Sequence, residues 1–196
     1  IQLILFDLGG VLVSLDPMLE AAYGEREGSP LSGEQLTAIK PLVKSFETGQ
    51  MSADAFAAAL LKAIRLPLTK GMLLRTFKGW VRGLYPGAAD LLRRLRPQYT
   101  VACLSNTNPI HWPVIRDDFG LGELLDHAFV SHETGLHKPD PAAFTHVCEA
   151  VQLPGQAILF FDDRQENIDA AQAAGLQAVL ADGVQGVEAA LAAMAR

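Results

Sequence analysis

The aspartate in Leu3-Ile4-Leu5-Phe6-Asp7-Leu8-Gly9-Gly10-Val11-Leu12 stands where an apolar, strand-like run gives way to two glycines. At the carboxyl end of a strand in an open α/β sheet, such a carboxylate faces the crevice where ligands bind. The glycines let backbone N–H and C=O groups come close to a ligand. An Asp before Gly-Gly also caps ordinary turns. Chemistry is favoured by a second occurrence, because Ala157-Ile158-Leu159-Phe160-Phe161 is another strand-like run and delivers Asp162-Asp163. Acids from two strand ends at one sheet edge suit a hard divalent cation such as Mg2+. That ion takes a few carboxylates, a carbonyl, waters and substrate phosphate oxygens.

Two more segments carry polar groups to comparable places. Val101-Ala102-Cys103-Leu104 runs into Ser105-Asn106-Thr107-Asn108, which on its own reads equally as a turn. Gly135-Leu136-His137-Lys138-Pro139-Asp140-Pro141 sets a lysine just ahead of a helix start, where the helix dipole disfavours a cation. Lys138 is therefore either a solvated charge or an ammonium group with an anion beside it.

The elements that must position these residues follow from periodicity. Short apolar runs at 3–8, 100–104, 158–161 and 177–180 read as buried strands, with 128–131 as a further short one. Helical patterns at 88–96, 141–151 and 167–174 alternate with them, each closed by Gly or Pro signals. Alternation of this kind predicts an α/β fold, a Rossmann-like doubly wound parallel sheet with helices on both faces. The segment from 15 to 85 breaks the rhythm, with no convincing strand and with helical stretches at 17–23, 32–46, 52–64 and 69–81. Ser52 as N-cap and Asp54 in the first turn mark one helix start. The expected organisation is a catalytic core of residues 1–14 and 86–196 with a helical cap at 15–85. Inserted after the first strand, the cap would lie over that strand's carboxyl end as a lid.

Composition narrows the function. The chain has 196 residues, 49% of them apolar, which is enough for one good core and a smaller accessory unit. A net charge of −6 with 16 basic residues argues against nucleic acid as a partner, since phosphate-backbone binding draws on clustered Lys and Arg. Cys103 and Cys148 are too few for a disulfide framework and read as small packing residues. No apolar run approaches the length of a membrane span, and no basic–apolar–cleavage pattern precedes the first strand. A cytoplasmic enzyme, monomer or homodimer, is expected, with no membrane partner.

Taken in order, the four polar segments resemble the motifs of the haloacid dehalogenase-like hydrolase superfamily. Asp7 matches its nucleophile, Ser105 its second-motif hydroxyl, Lys138 its third-motif lysine and Asp162-Asp163 its paired acids. Asn167 stands where the fourth motif has its last polar residue. The match spans Leu3 to about Ala181, and the helical insert falls where the family places a small helical cap. Within the superfamily the phrases Phe6-Asp7-Leu8-Gly9-Gly10-Val11, Leu104-Ser105-Asn106-Thr107-Asn108 and Phe46-Glu47-Thr48-Gly49-Gln50-Met51-Ser52 are most similar to the α-D-glucose-1-phosphate phosphatase-like branch.

The resemblance implies a Mg2+-dependent phosphomonoester hydrolase acting through an aspartyl-phosphate on a small phosphorylated metabolite. It implies metal ligands from Asp7, the Gly9 carbonyl and Asp163, with Asp162 in support, and a phosphate site made by Ser105, the Asn106 N–H and Lys138. Glu47 and Gln50 on the cap either reach a sugar hydroxyl or are solvated turn residues. One departure matters: most phosphatases of the superfamily carry a second Asp two residues after the nucleophile, to protonate the leaving group, and here that position is Gly9. General acid–base help is worth about 10²–10⁴-fold. Asp16 is the nearest acid in sequence that could replace it, or else a helix-entry cap before Pro17.

His111, Trp112, His132 and His137 lack metal-ligand spacing and read as packing or surface residues. The competing functions are a dehalogenase, which the paired acids argue against, and a phosphonate hydrolase, for which Lys40, Lys44, Lys62 and Lys78 are available by type. A non-catalytic phosphate-binding protein of the same fold is the alternative outside catalysis.

Overall fold

The computed structural model describes residues 1–16, 32–65 and 67–194, so the expected helix at 17–23 lies outside the described residues. In chain order the strands are β1 (Leu3–Phe6), β2 (Val13–Leu15), β3 (Val81–Leu84), β4 (Thr100–Ser105), β5 (His127–Val130), β6 (Ile158–Asp162) and β7 (Gln177–Leu180). The longer helices are α1 (Gly33–Glu47), α2 (Ala53–Ile64), α3 (Lys70–Lys78), α4 (Ala88–Leu95), α5 (Pro141–Val151), α6 (Gln165–Ala173) and α7 (Gly183–Met194).

Five strands form one parallel sheet in the order β5-β4-β1-β6-β7, the α/β arrangement expected from the alternating pattern. Because successive side chains on a strand point to opposite faces, each strand feeds two cores. Ile4, Phe6, Val101, Cys103, Leu159 and Phe161 pack on one face with Leu91 and Leu92 of α4 and Val184 and Val187 of α7. Leu3, Leu5, Ala102, Ile158 and Phe160 pack on the other with Phe144 and Val147 of α5 and Ile168 and Ala171 of α6. Both cysteines are unbridged packing residues, Cys103 buried and Cys148 half-buried. No helix among the described residues is long and apolar enough to cross a membrane.

β1 is central, and the chain winds away from it first toward β4 and β5 and later toward β6 and β7. The carboxyl ends of β4, β1 and β6 are thus neighbours at the point where winding reverses, which is where an open α/β sheet forms its crevice.

Helices α1, α2 and α3 build a third apolar cluster of their own around Phe46, Phe56, Leu60, Leu73 and Phe77. Phe46 and Phe56 stack with ring centroids 4.3 Å apart. Side-chain caps start all three helices: Ser32 with Gln35 in a reciprocal capping box, Ser52 on Ala55 N–H, and Thr69 on Met72 N–H. Gly49, after α1, has φ of +71° and passes so close to the sheet unit that an added Cβ would lie 2.4 Å from the His132 carbonyl oxygen.

The expectation that 15–85 holds no strand is corrected. β3 pairs antiparallel with β2, and helix α3 ends at Lys78, before the 81 expected from periodicity. Strands of three and four residues are too short to show alternation, and their partners lie far apart in sequence. This ribbon carries the chain out of and back into the sheet unit at the edge of the crevice.

Candidate active site

The three strand ends converge as their sequence positions imply. Asp7 N–H donates to the Phe161 carbonyl at 2.8 Å, tying the end of β1 to β6 and setting the Asp7 side chain beside Asp162. Asp7, Asp162 and Asp163 each present a carboxylate oxygen, all within 4.8 Å of one another. Lys138 reaches into this group from the loop before α5. Its Nζ lies 2.8 Å from Asp7 Oδ1 and 2.7 Å from Asp162 Oδ2, and 5.3 Å from the Phe160 ring centroid. The residue is 2% exposed, so the alternative of a solvated charge is removed. Burial alone would lower its pKa, but the charges of Asp162 and Asp7 outweigh burial and hold it above the ordinary lysine value.

The paired acids take different parts. Asp162 is fully buried, and both of its oxygens are engaged. Oδ2 accepts from Lys138 Nζ and Asn167 Nδ2, while Oδ1 accepts from Arg164 N–H and Asn167 Nδ2. Asp162 therefore anchors Lys138. Asp163 is exposed as a residue, yet its carboxylate packs against the Gly10 turn, where an added Cβ would meet Oδ2 at 2.2 Å. Gly10, with φ of +78°, is required both by backbone conformation and by this approach.

Among the described residues one ammonium group stands with three carboxylates, and burial together with this excess of negative charge raises two of their pKa values. Burial, and then the neighbouring Asp7 and Asp162, push the Asp163 carboxyl up to about 7. Burial pushes Asp7 up to about 6 against the pull of Lys138, with Asp162 adding to the rise. Hard oxygen donors held together in excess of their positive charge fit a divalent cation. Burial pushes the Cys103 thiol, just under this group, up to about 12, which removes it as a nucleophile.

Asp7 Oδ1 is fixed by Leu8 N–H at 2.7 Å and by Lys138. Beyond it opens a cleft of about 800 Å³ whose lining includes Gly9, Ser105, Asn106, Lys138 and Asn167. Asn106 is locked in orientation, since its Oδ1 accepts from Lys138 N–H and its Nδ2 donates to the Lys138 carbonyl, both at 2.9 Å. The same Nδ2 faces His137 Nδ1 at 3.2 Å, so Nδ1 is the acceptor and the ring proton sits on Nε2. That proton points at Glu47 Oε2, 3.1 Å away on α1. A second histidine makes a parallel link. His111 Nε2 donates to the Phe77 carbonyl at 2.7 Å and its ring stacks on Phe77, and burial holds its pKa below the usual histidine value.

Several sequence expectations change here. His137 is more than a packing or surface residue: it joins the helical insert to the loop carrying Lys138. Its partner Glu47 is 90 residues away, a pairing for which the sequence holds no local signal. Glu47 is buried on the cleft wall, while Gln50 lines a smaller recess of about 270 Å³ beside it. Asp16, the acid nearest Gly9 in sequence, has its carboxylate ion-paired with Arg82 and is not among the described residues that line the cleft. The Leu15 side chain lies against Gly9, where an added Cβ would meet its Cδ1 at 2.9 Å and push that terminal methyl aside.

Residues 1–175 match the model of the haloacid dehalogenase-like hydrolases. The chain is 30% identical over 190 residues to a phosphoglycolate phosphatase of Nitrosospira multiformis, covering 89% of this chain and 80% of the relative. It is 26% identical over 185 residues to a D-ribitol-5-phosphate phosphatase of Bacteroides thetaiotaomicron, covering 90% of each. Its fold is similar to that of a HAD family enzyme from Bacteroides thetaiotaomicron solved in complex with magnesium and inorganic phosphate. The TM-score there is 0.75 at 25% identity, over 93% of this chain and 94% of that one.

Proposed function

The chain belongs to the haloacid dehalogenase-like hydrolases, and from that membership we propose that it is a magnesium-dependent phosphatase of small phosphorylated metabolites working through an aspartyl-phosphate. The observation that carries the reading is Lys138, buried between Asp7 and Asp162 while Asp163, with no ion pair of its own among the described residues, stands beside them. In this reading Asp7, the Gly9 carbonyl and Asp163 hold Mg2+, which when bound screens the repulsion between the nucleophilic carboxylate and an anionic phosphoryl group. Asp162 orients Lys138. Ser105, the Asn106 N–H and Lys138 receive phosphate oxygens, matching the spread charge of a loose transition state.

An Asp7 oxygen bonds to phosphorus as the ester oxygen leaves with its electron pair, and water then cleaves the acyl phosphate. With glycine at position 9 and the apolar Leu15 beside it, no acidic side chain stands in the usual proton donor's place, so good leaving groups are favoured. The relatives that act on phosphoglycolate and D-ribitol 5-phosphate support a small metabolite, and the similarity to the glucose-1-phosphate phosphatase-like branch supports a sugar phosphate. The protein would act in the cytoplasm as a monomer or homodimer. The Lys40 and Lys44 side chains are solvent-exposed, unlike the desolvated lysine that a Schiff-base phosphonate hydrolase needs.

Gly9 also favours a second reading, a phosphate-binding protein that does not turn over. The two separate on p-nitrophenyl phosphate and a sugar-phosphate panel with Mg2+, with Asp7→Asn and EDTA as controls. Turnover that falls on the order of 10⁴-fold in Asp7→Asn and is lost in EDTA is expected. Equal inactivity of wild type and Asp7→Asn, with phosphate still bound by both, would establish the binding protein instead.

A further inference from the structure

Of the five lysines on the helical insert, Lys62, Lys70 and Lys78 are outside the cleft lining, whereas Lys40 and Lys44 line it. They fall on one stripe of α1, with Val43 and Glu47, at the helical spacing that brings side chains to one face. Both lysines are exposed, and neither has an acidic partner among the described residues. The nearest acid on the stripe, Glu47, is held by His137. Lys44 sits in the last turn of α1, where a cation is favoured by the helix dipole; Lys40, a turn earlier, has no such local reason. Two ammonium groups therefore line the same cleft as Asp7 and Asp163, in a chain whose net charge is −6.

We infer that the substrate is a phosphomonoester carrying a second anionic group, a carboxylate or another phosphate, at the end remote from the scissile phosphorus, and that Lys40 and Lys44 bind that group. The inference rests on the phosphatase reading and narrows its substrate class. Glu47, at the end of α1, touches His137, the neighbour of Lys138. At a rise of about 1.5 Å per residue, Lys44 lies about 4–5 Å and Lys40 about 10 Å further along the helix from that contact. A phosphorylated sugar acid and a sugar bisphosphate, each with a second anion a few carbons from the ester, represent the class. Attraction across a cleft also concentrates such a substrate, and salt weakens the effect.

The test compares kcat/KM for glucose 6-phosphate, 6-phosphogluconate and fructose 1,6-bisphosphate, with p-nitrophenyl phosphate as a reporter lacking any remote anion. Wild type should favour at least one doubly anionic ester over glucose 6-phosphate by tenfold or more. Preference for 6-phosphogluconate alone identifies a carboxylate, and preference for the bisphosphate alone a second phosphate. Lys40→Gln/Lys44→Gln should erase the ratio and Lys40→Glu/Lys44→Glu should invert it. Raising the salt should reduce it in wild type only. No preference in wild type, or one that survives both double variants, overturns the inference. The phosphatase reading then still stands if wild type hydrolyses p-nitrophenyl phosphate and Asp7→Asn does not, whereas no hydrolysis of any ester by wild type overturns both.

Discussion

On the floor of the cleft Asp7, Lys138 and Asp162 hold one another, while on its roof Lys40 and Lys44 end in solvent. Lys138 is gripped by Asp7 and Asp162, and Asp162 by Asn167 and the Arg164 N–H. On α1, Lys40 and Lys44 meet no acid among the described residues. Groups fixed before the substrate arrives need no reorganisation as charge develops, which suits the phosphoryl chemistry common to every substrate of such a site. Exposed lysines on a helix give up rotamer freedom only when a ligand meets them, and they can be exchanged without disturbing a core. Rigidity belongs to the reaction and adaptability to the choice of substrate.

The largest effect that could break this contrast lies on the floor. Lys138→Ala leaves two buried carboxylates without their cation, and should lower stability by about 3–5 kcal/mol in urea unfolding. Lys40→Ala should change it by less than about 0.5 kcal/mol. Comparable losses at both positions would dissolve the distinction.

Magnesium gives the next effect. With Asp163 near 7 and Asp7 near 6 in the metal-free protein, both above their unfolded value of 3.8, the native state binds more protons than the unfolded one. These two groups therefore make metal-free stability fall as pH rises from about 4 to 7. Magnesium needs the ionised forms, so its stabilisation, about 2.7 kcal/mol at a hundredfold excess over Kd, should be full at pH 8 and much reduced at pH 5. Thermal melts with and without the ion at both pH values check this; an equal rise in Tm at both would remove the metal from this site.

A smaller effect probes the join between roof and floor. A double-mutant cycle of Glu47→Gln and His137→Gln should give a coupling of about 1–2 kcal/mol. A value near zero would leave the roof unconnected to the Lys138 loop through this pair. Smallest of all, Gln50→Ala should leave kcat/KM within about twofold, since Gln50 lines the neighbouring recess. A large loss would extend the substrate site into that recess.

Much of the fold was legible because its signals are local. Runs such as Leu3–Phe6 and Ile158–Asp162 are apolar on both faces, as a sheet covered twice requires, and caps such as Ser52 announce their helices. β2 and β3 escaped because each is too short for a period and exists only by pairing with the other. At the site, Asp7 and Asp162-Asp163 could be picked out because strand ends in an α/β sheet share one edge, whereas Ser105 and Lys138 were singled out only by their resemblance to the family's motifs. The unequal parts of Asp162 and Asp163 could not, since adjacent acids look alike until one is seen enclosed by Lys138 and Asn167.

By itself, then, the order of residues determined the parallel sheet, the two apolar faces and the strand ends that bear polar groups, because periodicity and punctuation act over a few neighbouring positions. Only the tertiary structure decided that Glu47 meets His137, that Asp16 is paired with Arg82, that the Leu15 side chain lies against Gly9, and that two of the insert's five lysines line the cleft. Each of these depends on which distant segments come within a few ångströms, and that is set by packing the whole chain at once.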